Sequence, residues 1–352
     1  MEFGLSAEQT LLKDSTSRFL REQVNLDVVR KVAANETTDK DVWAGLTELG
    51  IPALLISEES GGVNLGAMEA AIIAELLGYY VTPGPYIPTA TMAAIALRQS
   101  NRDDLLPEIA AGNCRVGIAF SEAVGARDKA GVTAKSEQLN GTAIFALDAD
   151  ANSYLVATGD RSLYLVDRSN LECTNLTTID KTRSTCELVF KNTPAQLISN
   201  DPMVFERSLD MGRIMLAADT LGAAQNMLDQ AIAYAKTREQ FDRPIATFQA
   251  VKHMCAEMAA QLEPCRSMVW YAAHAFDELP TETRLTTSHT KAHISEVGKF
   301  VARTSTEVHG GMGFTDLVGL HYWFKRIGFN RQLLGAPELL REEAARLQGL
   351  VA

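Results

Sequence analysis

The spacing of apolar and polar residues divides the chain into three regions, and the first has helical periodicity. Up to about residue 115, apolar side chains such as Leu12 and Phe19 recur at the spacing of amphipathic helices. Ser6 stands before this run as a helix N-cap would, and Gly50 stands after a later run as a C-cap would. The pattern predicts a helical N-terminal domain over residues 1–115.

The second region, residues 116–201, has the pattern of short strands. Apolar or alternating runs are separated by turn-forming residues such as Asn140-Gly141 and Gly159-Asp160. The runs cover residues 116–120, 142–147, 153–157, 162–166 and 186–190. The pattern predicts a small antiparallel β domain, with residues 186–190 as its last strand.

The third region, residues 202–352, returns to helical spacing over longer stretches. Three long helices are predicted, over residues 205–234, 248–276 and 285–307, and Pro280 is expected to end the second. These helices predict a helical C-terminal region over residues 202–352. The fold class is therefore α+β and mostly α, in the order helical, β, helical.

Composition narrows the function classes. The chain has 352 residues and a net charge of -11 at pH 7, which argues against a nucleic-acid-binding protein. No apolar run approaches the roughly 18 residues of a membrane span, and the charged N-terminus is not a signal peptide. Five cysteines without CxxC spacing predict reduced thiols in a cytoplasmic protein. His289 and His293 lack a third ligand, so no metal site is predicted.

Two motifs in the third region could bind an anion. Arg238 follows a predicted helix, and its planar donors match paired phosphate oxygens. Gly310, Gly311 and Gly313 would allow a ligand to approach the backbone closely. Taken singly, an arginine at this position is typical of a surface ion pair, and a group of glycines is typical of a helix C-cap and turn. The glycines do not follow a strand, so they are not a Rossmann fingerprint.

Together, the motifs resemble those of the acyl-CoA dehydrogenase family. The resemblance consists of TREQFDRPI at residues 237–245, VHGGMGFT at 308–315, FGLSAEQ at 3–9 and Leu209-Asp210-x-x-Arg213. It implies an acyl-CoA dehydrogenase-like fold with a C-terminal four-helix bundle, FAD as cofactor, and an acyl-CoA thioester as substrate. It also implies tetramers and electron transfer flavoprotein as oxidant. The acyl group could be a fatty acid or a bulky group such as a steroid side chain.

The resemblance also assigns roles to individual residues. In this family the C-terminal helices of one subunit hold the diphosphate and adenosine of the neighbour's FAD. That role falls to Arg238, Gln240, Phe241, Glu307, Gly310 and Gly311, with Glu307 in place of the usual glutamine. Ser121 and Phe145 would lie at the flavin ring, and Asp210 and Arg213 would lie at the substrate.

The flavin-ring side departs from the family pattern. Where the family shows T-E-P-x-x-G-S-D, this chain has Ser-Glu-Ala-Val-Gly-Ala-Arg-Asp at residues 121–128. The proline is absent, and Arg127 stands at the serine. Leu147 stands where the family has a threonine hydroxyl.

The catalytic base is also absent. The family reaction needs a carboxylate close to the proton on the carbon next to the thioester carbonyl. Most members place this glutamate near the C-terminus, where the chain has Leu334, and a minority place it on the first C-terminal helix, where the chain has Gly212. Glu338, one helical turn after Leu334, is the nearest alternative carboxylate.

Three functions remain open. The chain is expected to be the short subunit of a heterotetrameric acyl-CoA dehydrogenase, completing the FAD site of a longer partner chain without supplying the base. It could instead be a homotetrameric enzyme with a non-standard base, Glu338 first. It could also be a catalytically silent acyl-CoA-binding or scaffold protein. A flavin monooxygenase of the same fold would need no glutamate base, but the altered flavin-ring side disfavours it.

Overall fold

A computed structural model of the chain describes residues 4–100, 102, 104–125 and 131–351. Its first part is helical, as the periodicity predicts, and the helices are α1 (Ala7–Gln23), α2 (Leu26–Ala33), α3 (Lys40–Glu48), α4 (Ala67–Tyr79), α5 (Ala94–Gln99) and α6 (Leu106–Ala110). Ser6 caps α1 as expected, because its hydroxyl accepts the Gln9 N–H at 3.1 Å while the Gln9 side chain accepts the Ser6 N–H at 2.9 Å. Gly50 follows α3 with a φ of 74°, as a C-terminal glycine does.

A buried π-helical segment, Tyr86–Ala93, connects the end of α4 to α5. π-helices are rare and are frequently found at functional sites. The Ser208 hydroxyl donates to the Met92 carbonyl at 2.9 Å. This bond fixes Met92 against the first helix of the C-terminal region.

The middle region contains the predicted sheet. Its elements are β1 (Val116–Ala119), the short helix α7 (Ser121–Gly125), β2 (Gly131–Lys135), β3 (Gln138–Leu147), β4 (Ser153–Ala157), β5 (Leu163–Asp167), β6 (Glu172–Asn175), β7 (Thr185–Pro194) and β8 (Gln196–Ser199). The strand order is β6-β7-β3-β1-β4-β5-β8, with β2 paired to β3.

The sheet differs from the prediction in two respects. It is mixed rather than antiparallel, because β1 and β4 pair in parallel, with Ile118 opposite Leu155. The chain reverses after β3 and passes to the other side of β1, so β4 runs in the direction of β1. The last strand is β8, which pairs with β5, and not residues 186–190. The short, half-exposed β8 carries little of the apolar alternation that marks a strand.

The C-terminal region contains α8 (Pro202–Thr237), the two-residue strands β9 (Glu239–Gln240) and β10 (Arg243–Pro244), α9 (Gln249–Glu278), α10 (Pro280–His309), α11 (His321–Gln332) and α12 (Pro337–Leu347). Helix α9 ends just before Pro280, as predicted, and Pro280 is also the first residue of α10, a position to which proline is well suited. Helices α8 to α11 pack together as the predicted bundle, and α12 packs against α10.

Helix α8 is buried along most of its length, and α4 packs directly on it. The closest approach occurs at two glycines, Gly78 of α4 and Gly222 of α8. A Cβ atom at Gly78 would lie 1.9 Å from the Asp219 carbonyl oxygen, and one at Gly222 would lie 1.8 Å from the Glu75 carbonyl oxygen. The two backbones therefore touch where no side chain intervenes.

A buried ionic network joins the sheet region to α8 and α11. The Arg326 guanidinium lies 2.8 Å from Asp180 and 3.1 Å from Asp219, and Asn330 donates to Asp219 at 2.6 Å. Arg183 donates to Asp180 at 3.1 Å. Burial alone would raise the pKa of Asp180, but Arg326 and Arg183 hold it below its ordinary value.

Within the described ranges, no helix is long and apolar enough to cross a membrane.

Candidate functional site

A large cavity lies between the sheet and the C-terminal helices and has a volume of about 700 Å³. One wall comes from α7, β3 and the loop after β6. The opposite wall comes from the end of α11, the loop at residues 333–336 and the start of α12. Most lining side chains are apolar, and they include Ile144, Phe145, Ile179, Phe329, Leu333, Leu334 and Leu339. Such a cavity suits a largely apolar ring or chain of small-molecule size.

Phe145 and Ser121, predicted to lie at a flavin ring, both line this cavity. Strand β3 has an irregular register between Ala143 and Ala146, and Phe145 there has a φ of 53°. Bulges redirect side chains in this way. The Phe145 ring remains 39% exposed, and the Ser121 hydroxyl donates to the Phe145 carbonyl at 3.4 Å. Arg127 lies outside the described residues.

The two expected base positions, Leu334 and Gly212, lie side by side. A Cβ atom at Gly212 would be 2.7 Å from Leu334 Cδ1 and 2.5 Å from Met92 Sδ. Leu334 lines the cavity and is 4% exposed. The space that a base from either position would use is therefore filled by a leucine and a methionine.

Glu338 lies on the solvent side of α12. Its side chain is 68% exposed and forms an ion pair with Arg331 at 2.8 Å. A backbone hydrogen bond and Arg331 keep the pKa of the carboxyl below its ordinary value. Glu338 does not line the cavity, although its chain neighbour Leu339 does. This geometry does not support Glu338 as the catalytic base.

Asp210 and Arg213, predicted to contact substrate, are buried beneath the cavity wall and are not among its lining residues. Arg213 donates to the Leu334 carbonyl at 2.9 Å and to Glu343 at 2.8 Å. Asp210 pairs with Arg284 at 3.1 Å. Burial raises the pKa of Asp210 to about 6 against the opposing effect of Arg284. These contacts favour a role in shaping the wall.

A second, deeper cavity of about 40 Å³ shares Phe329 and Leu333 with the large one. Its volume holds a few water molecules at most. Its lining includes the ionic-network residues Arg183, Asp219 and Arg326. A long apolar chain that entered from the large cavity would meet charged groups after a short distance.

The residues predicted to bind a neighbour's FAD lie elsewhere. Arg238 ends α8 and, like Gln240, is exposed, while the Phe241 ring is 87% exposed. Glu307, Gly310 and Gly311 lie at the end of α10, where a Cβ atom at either glycine would touch nothing. Arg238 directly follows the last residue of α8 and lies 26 residues beyond Gly212, which corresponds to about 39 Å along the helix. None of these residues lines the cavity of its own chain.

Sequence patterns assign no role to two buried charged residues near the cavity. Glu122 is 7% exposed and lines the cavity, although the sequence offers it only as part of an altered motif. Lys291, on α10, is 1% exposed and donates to the Gly335 carbonyl at 2.7 Å. No local pattern marks this lysine, because its burial depends on the loop that packs over it. No group of three possible metal ligands occurs among the residues that the structure describes.

Comparison with known proteins identifies the family. The acyl-CoA dehydrogenase N-terminal domain matches residues 6–113, and the acyl-CoA dehydrogenase C-terminal domain matches residues 203–348. Acyl-CoA dehydrogenase IpdE2 of Mycobacterium tuberculosis is 30% identical over 354 residues, covering 98% of this chain and 97% of that protein. The chain belongs to the acyl-CoA dehydrogenase family.

Acyl-CoA dehydrogenase structures also match the fold. The steroid ACAD Tcur3481-Tcur3483 superposes with a TM-score of 0.89 at 27% identity, covering 97% of this chain and 98% of that one. A chain of the ChsE4-ChsE5 complex from Mycobacterium tuberculosis has a TM-score of 0.89 at 22% identity, with full coverage of both chains. At this identity, the match supports only the similarity of fold. The acyl-CoA dehydrogenase fold predicted from the motifs is confirmed.

Proposed function

We propose that this chain is the non-catalytic subunit of a heteromeric acyl-CoA dehydrogenase. It would complete the FAD site of a longer partner chain, which would supply the catalytic carboxylate. The observation that carries the proposal is the contact between Gly212 and Leu334. Both family positions for the base converge on one place, and neither residue there can accept a proton.

We call Arg238, Gln240 and Phe241 the trans motif. Its location supports the same assembly. These residues are exposed some 39 Å along α8 from the cavity, so they are available to a neighbour and not to their own chain. An arginine and open glycine backbone suit the diphosphate of FAD. The chemistry that bound FAD would supply is that of a hydride acceptor for the β carbon of the acyl group. This chain would contribute binding and orientation of that cofactor.

The reaction proposed for the assembly is α,β-dehydrogenation of an acyl-CoA thioester with electron transfer flavoprotein as oxidant. The 27% identity to a steroid ACAD supports a bulky acyl group as the substrate of the assembly.

The test is to purify the chain alone and together with an acyl-CoA dehydrogenase chain encoded beside it. We expect the lone chain to show no acyl-CoA oxidation, and the complex to bind FAD and turn over. Replacing the partner's catalytic glutamate by glutamine should remove all turnover. Stoichiometric FAD and acyl-CoA oxidation by the lone chain would refute the proposal.

A homotetrameric enzyme is the second candidate, and the position of Glu122 favours it over a scaffold protein. Glu122 lines the cavity, whereas Glu338 does not. If the lone chain turns over, Glu122→Gln should abolish turnover while FAD remains bound, and Glu338→Gln should not. A scaffold protein without flavin would instead show no flavin absorption, either alone or mixed with the partner.

A further inference from the structure

Two successive carbonyl groups at the cavity edge accept hydrogen bonds from two buried cations. The Leu334 carbonyl accepts from Arg213 Nε at 2.9 Å, and the Gly335 carbonyl accepts from Lys291 Nζ at 2.7 Å. Arg213 belongs to α8 and Lys291 to α10, so the loop between α11 and α12 is attached to both long helices. We call this pair of cations the carbonyl clamp.

The clamped backbone has a conformation that it would not adopt without support. Leu334 has a φ of 55°, which costs a residue with a side chain about 1–2 kcal/mol. Gly335 has a φ of 112°, which glycine tolerates. A Cβ atom at Gly335 would lie 3.1 Å from Leu339 and 3.4 Å from Arg213 Nη2. The loop is therefore both strained and closely packed against the clamp.

The two cations are themselves in an unfavourable environment. Arg213 and Lys291 are each 1% exposed. Burial, Arg213 and Arg331 together hold the pKa of Lys291 well below its ordinary value. Neither cation lines the cavity, so each acts on it only through the backbone of residues 334–335. Two buried cations are a costly means of closing a loop that packs only for stability.

We infer that Lys291 and Arg213 are positioning residues that fix the Leu334–Gly335 backbone and so direct side chain 334 into the cavity. The clamp would thus be the support for a base at position 334, retained in a chain that carries leucine there. This inference rests on the proposed function, since it concerns the same site. It predicts that the carboxylate is the missing component at that position.

The first experiment tests the clamp in the lone chain. Hydrogen–deuterium exchange of the backbone amides at residues 329–340 is measured for the wild type, Lys291→Met and Lys291→Arg. Lys299→Met, on an exposed position of the same helix, is the control. We expect at least tenfold faster exchange in K291M, recovery of protection in K291R, and no change in K299M. Unchanged exchange in folded K291M would overturn the inference.

The second experiment tests what the clamp supports and does not require K291M to fold alone. Leu334→Glu is made in the complex whose partner carries glutamine in place of its catalytic carboxylate. We expect acyl-CoA oxidation at least tenfold above the same complex with Leu334. Adding K291R should preserve the gain, and adding K291M should remove it. Leu339→Glu, which also faces the cavity but lies outside the clamp, should give no gain.

The two proposals fail in different ways. Turnover by the Leu334 complex with the partner's carboxylate removed would refute the proposed function, whatever the clamp does. A silent L334E complex that binds FAD and keeps wild-type exchange at residues 329–340 would refute the clamp as a base support. Equal activity of L334E and L339E would refute it as well.

Discussion

Asp210 shows how burial can outweigh an ion pair at a single residue. Its carboxylate lies 3.1 Å from Arg284, yet its pKa is raised to about 6 because burial is the largest influence. An acid whose pKa is higher in the folded state binds protons more tightly when folded. Stability is therefore lost as pH rises from about 4 to about 6.

Replacing Asp210 by asparagine should remove this pH dependence. The rise of the Asp210 pKa from its ordinary value to about 6 corresponds to roughly 3 kcal/mol as an upper limit. Urea unfolding of wild type and D210N between pH 4 and pH 7 measures it, and the wild type should lose stability over this range relative to D210N. Asp242→Asn, on an exposed loop, is the control. If the free energies of unfolding of wild type and D210N changed in parallel with pH, the expectation would be contradicted.

Single residues also show what sequence can and cannot reveal. The resemblance to the family singles out Leu334 and Gly212, and the structure shows that they touch. Glu338 is the nearest alternative carboxylate in the sequence, but the structure places it in solvent, because Leu334 lies in the loop between α11 and α12 and not one helical turn before Glu338. Lys291 carries no sequence signal because its role depends on a carbonyl 44 residues away.

The contact between α4 and α8 is a backbone contact, and it depends on glycine. Gly222 lies against the Glu75 carbonyl, which cannot move without moving α4. The sequence predicts α8 from its periodicity and places α4 within a helical region. The close approach is not predictable, because a glycine within a helical pattern has no signal that distinguishes a tight crossing from a simple loss of helix propensity.

Gly222→Ala should destabilise the chain by about 1–3 kcal/mol or more, because its Cβ atom must push the two helices apart. Thermal unfolding followed by circular dichroism measures the effect. Gly159→Ala, where a Cβ atom would touch nothing, should change the midpoint little. Equal midpoints for the two variants would show that α4 can shift freely.

The ionic network is the corresponding contact between the sheet region and α11. Arg326→Met should leave Asp180 and Asp219 with too little compensating positive charge. We expect it to lower the free energy of unfolding by about 3–5 kcal/mol. Arg331→Met breaks pairs with the exposed Glu338 and the partly exposed Glu296 and should cost about 1 kcal/mol or less for each pair. Denaturant midpoints of the two variants provide the comparison, and a smaller loss in R326M than in R331M would contradict it.

At the scale of the whole molecule, the cavity and the exposed trans motif form two separate surfaces. The sequence predicts the order of regions and most helices well, because helices longer than about 25 residues carry many turns of periodic signal. The parallel pairing of β1 and β4 is not predicted, since strand order in a sheet depends on contacts distant in sequence. The convergence of the base positions likewise needs the fold.

Arg238→Ala should weaken FAD binding by the complex about tenfold or more, since a hydrogen bond to a charged group contributes about 1.5–3 kcal/mol. The lone chain should fold normally, because Arg238 is exposed. Flavin retention of the complex on dilution measures the loss. Arg346→Ala removes another exposed arginine, at the far end of α12, and should leave retention unchanged. Full retention by R238A would remove this residue from the cofactor site.

The uninterrupted length of α8 has a consequence for sequence variation. The helix contains Gly212, at the cavity, and Arg238, in the trans motif, directly follows its last residue. Inserting or deleting one residue between them would shift Arg238 by about 1.5 Å along the axis and turn it by roughly 100° about the helix. Related chains that assemble in the same way should therefore vary in length within loops and keep a constant number of residues between these two positions.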